Sequence, residues 1–361
     1  MNVLSILQNR AILEFALYTS DDSGPHASGE LKNWMNLDYD SIPERIASGL
    51  KRKSETLNKD LIPDIISLRV PYGGTVFKAP AILSKKVLEK LDSIKDFAPL
   101  HILPLMKLTE ALEKHFSRPP IILVFETGFF TNLPEREYSY AIDPGSIKNI
   151  QFRKFGYHGI LHESAVAFSL KKNNSNSRIL SVCLDPIPEV CAIKDGVPVI
   201  VTSGATPLEG LPGETTCGDL DPLIVLSISE SLGWGPEQIN SMLSNESGMK
   251  GIAGVKTSFS EVFKSTDHKT VFAKEIFLYK TLQAFGAGIA AMGGVDIIVF
   301  SGKYCDSGKV IKDYMSEKLN LSEKPQQWEY LTRSLLRITA DLGIAAYLKS
   351  CKGDSNSCHH E

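Results

Sequence analysis

The stretch "PLMKLTEALEKHFSRPPIILVFET" (residues 104 to 127) decides the fold class. Its first half has helical apolar spacing, and its second half is a short branched apolar run that ends in Glu126. A helix followed at once by a buried strand is the building unit of a layered α/β protein. The same reading extends outward. "PDIISLRV" (63 to 70), "RILSVCL" (178 to 184) and "VDIIVFSG" (295 to 302) read as further buried strands. "SKKVLEKLDSIKDF", "DPLIVLSISESLG", "GPEQINSMLSNES" and "FAKEIFLYKTLQAFGAGIAAM" have helical spacing, several behind a capping residue. In "CAIKDGVPVIVT", Asp195 and Gly196 stand between apolar runs as the two-residue turn of a hairpin. No short internal repeat interrupts the pattern, so the expected class is α/β.

Length divides this pattern into domains. At 361 residues and 43% hydrophobic composition, the chain is longer than one core usually supports. "MNVLSIL", hairpin-linked to "ILEFALYTS", opens a first domain, expected over 1–127. A second is expected over 128–337, after the strand that ends in Glu126. "ADLGIAAYLKSC" then returns to the first domain over 338–352, and 353–361 is expected to be a disordered tail.

Composition excludes several functions. The net charge of −3, with both signs interspersed, offers no positive face for a phosphate backbone, so no nucleic-acid partner is expected. Gln8, Asn9, Arg10 and Glu14 interrupt the apolar N-terminal run, which predicts neither a membrane span nor a signal peptide and makes the cytoplasm the expected location. The six cysteines show no CxxC pair, so free thiols are expected rather than a zinc framework or a disulfide set. Cys358, His359 and His360 at the polar end read as a frayed terminus more than as a metal site.

Eight segments then acquire a common meaning. "SLRVPYGG", "FAPLH", "VFETGFFTNLPEREYSYAI", "FGYHG", "TPLEG", "CGDLDP", "INSMLSNESGMKGIAG" and "GIAAMGGVDIIVFSG" occur in the order and at the separations of the acetate kinase family, which the chain resembles over nearly its whole length. That family belongs with sugar kinases and actin. The resemblance implies two domains of duplicated actin-like (ribonuclease H-like) fold around an interdomain cleft, usually as a homodimer. It implies an ATP- and Mg²⁺-dependent phosphotransferase acting on a short carboxylate such as acetate or propionate.

Joining two anions requires cations and hydrogen-bond donors around the transferring group. By resemblance, Arg69 holds the carboxylate or the phosphoryl group, His158 stabilises the transition state and His101 stands beside the substrate. The residues themselves also allow a salt-bridged arginine at a strand end and hydrogen-bonded structural histidines. Glu126 stands where the family has an aspartate, one methylene shorter. Pro71, Leu100, Tyr157 and Pro207 map onto the small acyl pocket. Asp219 and Asp221 keep an acidic pair, although Asp221 before Pro222 also suits a helix cap.

The resemblance breaks where the family holds phosphate. Its first hairpin, N-A-G-S-S-S, is replaced by Leu7 to Ile12, and its second phosphate loop, L-G-N-G-A-S, by "LDPIPE" (184 to 189), whose Asp185 and Glu189 are expected to repel a polyphosphate. Thr216 occupies the place of a catalytic arginine. In the adenosine loop only Gly302 persists, with Lys303 and Tyr304 after it. Asp341 is the one acid left in the metal segment. Lys303 or Arg10 could supply charge from new positions. Two readings therefore stand open: a phosphotransferase, and a non-catalytic relative, a pseudoenzyme that binds a small carboxylate or a protein.

Overall fold

The computed structural model describes residues 1–9, 11–22, 24–57, 62–143, 152–172, 177–319 and 327–353. Arg10, Cys358, His359 and His360 lie outside them, as do residues 354–361 of the tail expected over 353–361, whose first residue, Gly353, is helical. The strands are β1 (Asn2–Gln8), β2 (Ile12–Thr19), β3 (Ala27–Lys32), β4 (Ile65–Val70), β5 (Ala81–Ile82), β6 (Ile121–Phe125), β7 (Arg178–Cys183), β8 (Glu189–Lys194), β9 (Val197–Val201), β10 (Ile297–Ser301) and β11 (Gln327–Tyr330). The α-helices are α1 (Ile42–Leu57), α2 (Lys85–Ile94), α3 (Pro99–His115), α4 (Glu135–Tyr138), α5 (Gly159–Lys172), α6 (Pro222–Leu232), α7 (Pro236–Asn245), α8 (Gly248–Ala253), α9 (Phe259–Lys264), α10 (His268–Met292), α11 (Gly308–Lys318) and α12 (Leu335–Gly353). None of the helices among the described residues is long and apolar enough to cross a membrane.

The chain forms two compact units, Met1–Thr131 with the segment from Arg333 onward, and Asn132–Thr332. In the first, six strands are ordered β3-β2-β1-β4-β6-β5. The β1–β2 hairpin is antiparallel, with Gln8 opposite Leu13, and β1, β4 and β6 run parallel, with Leu7 beside Arg69 and Arg69 beside Val124. Helix α12 packs across β1, β4 and β6. It comes close enough for Ser67 Oγ to donate to the Thr339 carbonyl at 2.6 Å. This contact ties the last helical segment to the first strands.

The second unit orders its strands β9-β8-β7-β10-β11. In both units, then, an antiparallel three-strand meander contains the first strand at one end, and parallel strands continue the sheet on that strand's other side, β4 and β6 in the first unit and β10 and β11 in the second. Asp195 and Gly196 have φ of 55° and 80°, the paired left-handed residues that a tight hairpin requires. Period-two alternation splits β7. Leu180 and Val182 enter the core with Phe277 and Phe285 of α10, whereas the Ser181 hydroxyl meets His162 of α5.

Two expectations change. Helix α3 begins at Pro99, not at Pro104, which lies inside it. Either proline could open a helix, because the first turn needs no amide there. The earlier start puts Leu100 and His101 in the first turn of α3. Cys351 is disulfide-bonded, so the expectation of free thiols fails there and holds at Cys183, Cys191, Cys217 and Cys305.

Candidate functional site

The first unit gathers Arg69, Glu126, Gln8, Asn9 and the glycines after β4. Arg69 is the last residue but one of β4 and Glu126 follows β6, so parallel pairing brings them together. The Arg69 Nε donates to Glu126 Oε1, and its Nη1 donates to the Gln8 carbonyl at 3.4 Å. Glu126 is 1% exposed and Arg69 16%, so the pair faces outward through the guanidinium. The longer acid at 126 thus reaches the arginine directly. Beyond it, Thr127 Oγ1 accepts from the Gly73 amide at 2.9 Å. A Cβ on Gly73 would lie 2.6 Å from the Phe125 ring, so that turn requires glycine. Pro71 is buried in the same turn.

The β1–β2 hairpin does not form an anion nest among its described residues. Asn9 Oδ1 accepts from the amides of Ala11 and Ile12, at 2.9 and 2.7 Å, in an Asx turn. The Asn9 carbonyl accepts from Trp34 Nε1 at 2.6 Å. Among the described residues of the tip, the Ala11 and Ile12 amides are thus committed to Asn9, whereas the buried Gln8 Nε2 has no hydrogen-bond partner. Trp34, Met35, Leu100 and His101 close over the tip, with Gln8 and Asn9 lining a cavity of about 10 Å³ between them, room for one water. Leu100 is 53% exposed and belongs to this rim.

The second unit builds on Glu189. This carboxylate is wholly buried and accepts from the amides of Tyr157 and His158 at 3.0 and 3.1 Å, and from His162 Nε2 at 3.0 Å. Burial alone would raise its pKa. The His162 hydrogen bond, the charges of His158 and His162 and the Ser203 hydroxyl outweigh burial and hold it at about 2. Ser181 Oγ completes the chain 2.7 Å from His162 Nδ1. Sequence reasoning missed this relay and placed Glu189 on a phosphate-repelling loop. It opens β8 instead, and its side chain turns inward under His158. The available signal was the four-residue spacing of His158 and His162, which puts two imidazoles one helical turn apart.

Asp185 is the carboxylate that stays outside, 21% exposed, with Oδ2 3.6 Å from His158 Nε2. Its Oδ1 accepts from the Lys303 amide at 2.7 Å, and Leu184 accepts from the Tyr304 amide at 2.8 Å. These bonds stitch the 184–185 and 302–304 loops together. Gly302, at φ 90°, is the contact point: a Cβ there would lie 2.8 Å from Asp185 Oδ1 and 2.9 Å from the Leu184 backbone. Its smallness serves loop packing. Gly302→Ala is expected to destabilise the chain by about 2 kcal/mol, equally with and without nucleotide. Urea unfolding in both conditions checks it.

The Tyr157 hydroxyl donates to the Ala205 carbonyl at 2.5 Å, tying the histidine loop to the turn that carries Pro207. Asp219 Oδ1 accepts from the Gly210 amide at 2.7 Å, and Asp221 caps α6 by accepting from the Leu223 amide at 2.9 Å. Thr216 is 4% exposed, and its hydroxyl has no hydrogen-bond partner among the described residues. In the first unit, Arg337 holds Asp341 Oδ1 at 2.7 Å, and Arg333 takes the other oxygen. Two guanidiniums do not suit a magnesium ligand. The residues present therefore do not fit Mg·ATP held in the family's manner.

The family model described as the acetokinase family matches residues 28–323. The acetate kinase of Clostridium novyi is 31% identical over 250 residues, 68% of this chain and 62% of the relative. That of Thermoanaerobacter pseudethanolicus is 30% identical over 263 residues, 71% of this chain and 66% of the relative. The chain thus matches slightly less than two thirds of the length of these curated relatives. Among solved structures, a Porphyromonas gingivalis acetate kinase aligns with TM-score 0.83 at 22% identity, covering 96% of this chain and 99% of that one. A propionate kinase from Francisella tularensis aligns with TM-score 0.82 at 22% identity, covering 95% and 99%. The fold is the two-domain, actin-like α/β fold of these structures. With the family model matching most of its length, the chain belongs to the acetokinase family.

Proposed function

We propose that this chain binds a short carboxylate, acetate or propionate, through Arg69 and the neighbouring turn, and that it does not catalyse the family's ATP-dependent transfer. One observation carries the reading: the amides of Ala11 and Ile12 at the first phosphate hairpin donate to Asn9's own side chain. Three further features support it. Asp185 adds a negative charge to the second phosphate loop, Gly302 is packed against that loop, and Thr216 supplies no positive charge where the family has an arginine.

A second reading, phosphotransfer onto the same carboxylates with Mg²⁺ and ATP, is favoured by Arg69, Glu126 and His158 standing at family positions. Calorimetry and hydroxylamine trapping separate the two. The first reading expects no heat at millimolar Mg·ATP, no hydroxamate above blank, and a thermal shift with acetate or propionate. Saturable Mg·ATP heat with hydroxamate would establish the second.

Thr216→Arg alone is expected to yield no turnover, because the hairpin and both loops remain as they are. It should also lower stability by about 2 kcal/mol, since position 216 is buried. Hydroxamate above blank from that single variant would overturn the first reading. The homodimer implied by the family is part of the proposal, and sedimentation at micromolar concentration tests it.

A further inference from the structure

The face of the second sheet that meets α5 carries side chains unlike a kinase phosphate loop. Cys183 ends β7, opposite Glu189 of β8 and Ser301 of β10. Directly paired residues share a sheet face, and all three are fully buried. Ser301 Oγ has no hydrogen-bond partner among the described residues, so this face holds an unsatisfied polar atom beside Cys183. A His158 nitrogen, the Cys183 sulfur and an Asp185 oxygen converge there, all within 4.8 Å of one another.

We propose that His158, Cys183 and Asp185 bind a divalent transition-metal ion, zinc by the chemistry of the ligand set. Around tetrahedral zinc, such donors stand about 3.5 Å apart. The His158 Nε2 to Asp185 Oδ2 distance is already 3.6 Å, and with all three donor atoms within 4.8 Å of one another, binding draws the sulfur and the other two donors together by up to about 1 Å. A thiolate among the donors selects against magnesium and calcium, which take oxygen ligands. Behind the imidazole, Glu189 Oε1 lies 3.9 Å from His158 Nδ1, beyond hydrogen-bond reach, so it contributes negative charge behind the ring rather than an orienting bond.

Access and charge agree with a cation. Asp185 is 21% exposed and His158 10%, so an ion enters from the Asp185 side and keeps a fourth position for water or an oxyanion. Asp185 Oδ1 holds the Lys303 amide, while Oδ2 is the oxygen turned toward His158. Binding converts the Cys183 thiol to thiolate and releases one proton. The proposal does not rest on the carboxylate reading, which uses Arg69 and the turn after it.

The test uses the full chain carrying His359→Ala and His360→Ala, so that the terminal histidines do not compete. Stripped of metal, it is titrated with cobalt(II) and then zinc(II). The expected result is one equivalent bound, with a thiolate-to-cobalt charge-transfer band that zinc removes. Cys183→Ser should abolish the band and weaken zinc binding by about 100-fold or more, beyond what loss of an outer partner costs. Asp185→Asn should retain the band and weaken zinc binding at least about 10-fold. Circular dichroism monitors folding, and Asp185→Asn, at a partly exposed position, decides the matter if the cysteine variant does not fold. Absence of the band, its persistence in Cys183→Ser, or unchanged zinc affinity in Asp185→Asn overturns the proposal.

Discussion

Glu189→Gln is expected to cost about 3 kcal/mol of stability at neutral pH and to flatten part of the chain's acid unfolding profile. The carboxylate lies at 0% exposure and serves two backbone amides and the His162 imidazole. Its pKa in the fold is about 2, against 4.5 for the unperturbed group. Because the folded value is the lower one, the contribution is complete above about pH 4.5 and is lost as pH falls through about 2. That shift corresponds to roughly 3 kcal/mol. A neutral amide at 189 cannot make this contribution at any pH. Urea unfolding of both proteins between pH 7 and pH 2 should show a gap that narrows on acidification. A gap that stays constant across that range would locate the stabilisation elsewhere.

The second large effect is at Arg69. Arg69→Ala leaves Glu126, 1% exposed, without its guanidinium partner, and should destabilise the chain by about 3–5 kcal/mol. It should also remove any thermal shift with acetate or propionate. Stability alone does not separate anchor from scaffold, so the paired variant Arg69→Met with Glu126→Leu is informative. Replacing both partners by apolar groups should recover most of the stability, while the carboxylate response stays absent. A paired variant that still responds to acetate would show that the carboxylate binds elsewhere.

The candidate site was legible unevenly. Arg69, Glu126 and the glycines at 73 and 74 stand together because they lie at or just beyond the ends of the parallel strands β4 and β6, and strand ends can be read from short apolar runs. Asp221 was likewise readable as a cap, since Asp-Pro before an apolar helix has a local meaning. Glu189 was misplaced for a physical reason. A carboxylate after two prolines looks like exposed loop, and only the approach of His162 and of two amides from residues 157 and 158 makes its burial tolerable. Gly302 was matched to a nucleotide loop, and its close approach to Asp185, more than a hundred residues earlier in the chain, was not legible in the sequence.

By itself, the sequence determined β1, β2, β4 and β6 to β10, the Asp195-Gly196 turn and the α/β class, because apolar period and turn chemistry act over a few neighbouring residues, whereas β3, β5 and β11 carry too little of that pattern. Tertiary structure alone decided which proline opens α3, that the hairpin tip is closed by Trp34 and α3, and that Cys183 and Asp185 meet His158. Each of these depends on side chains far apart in the chain, whose packing and charge balance no local pattern records.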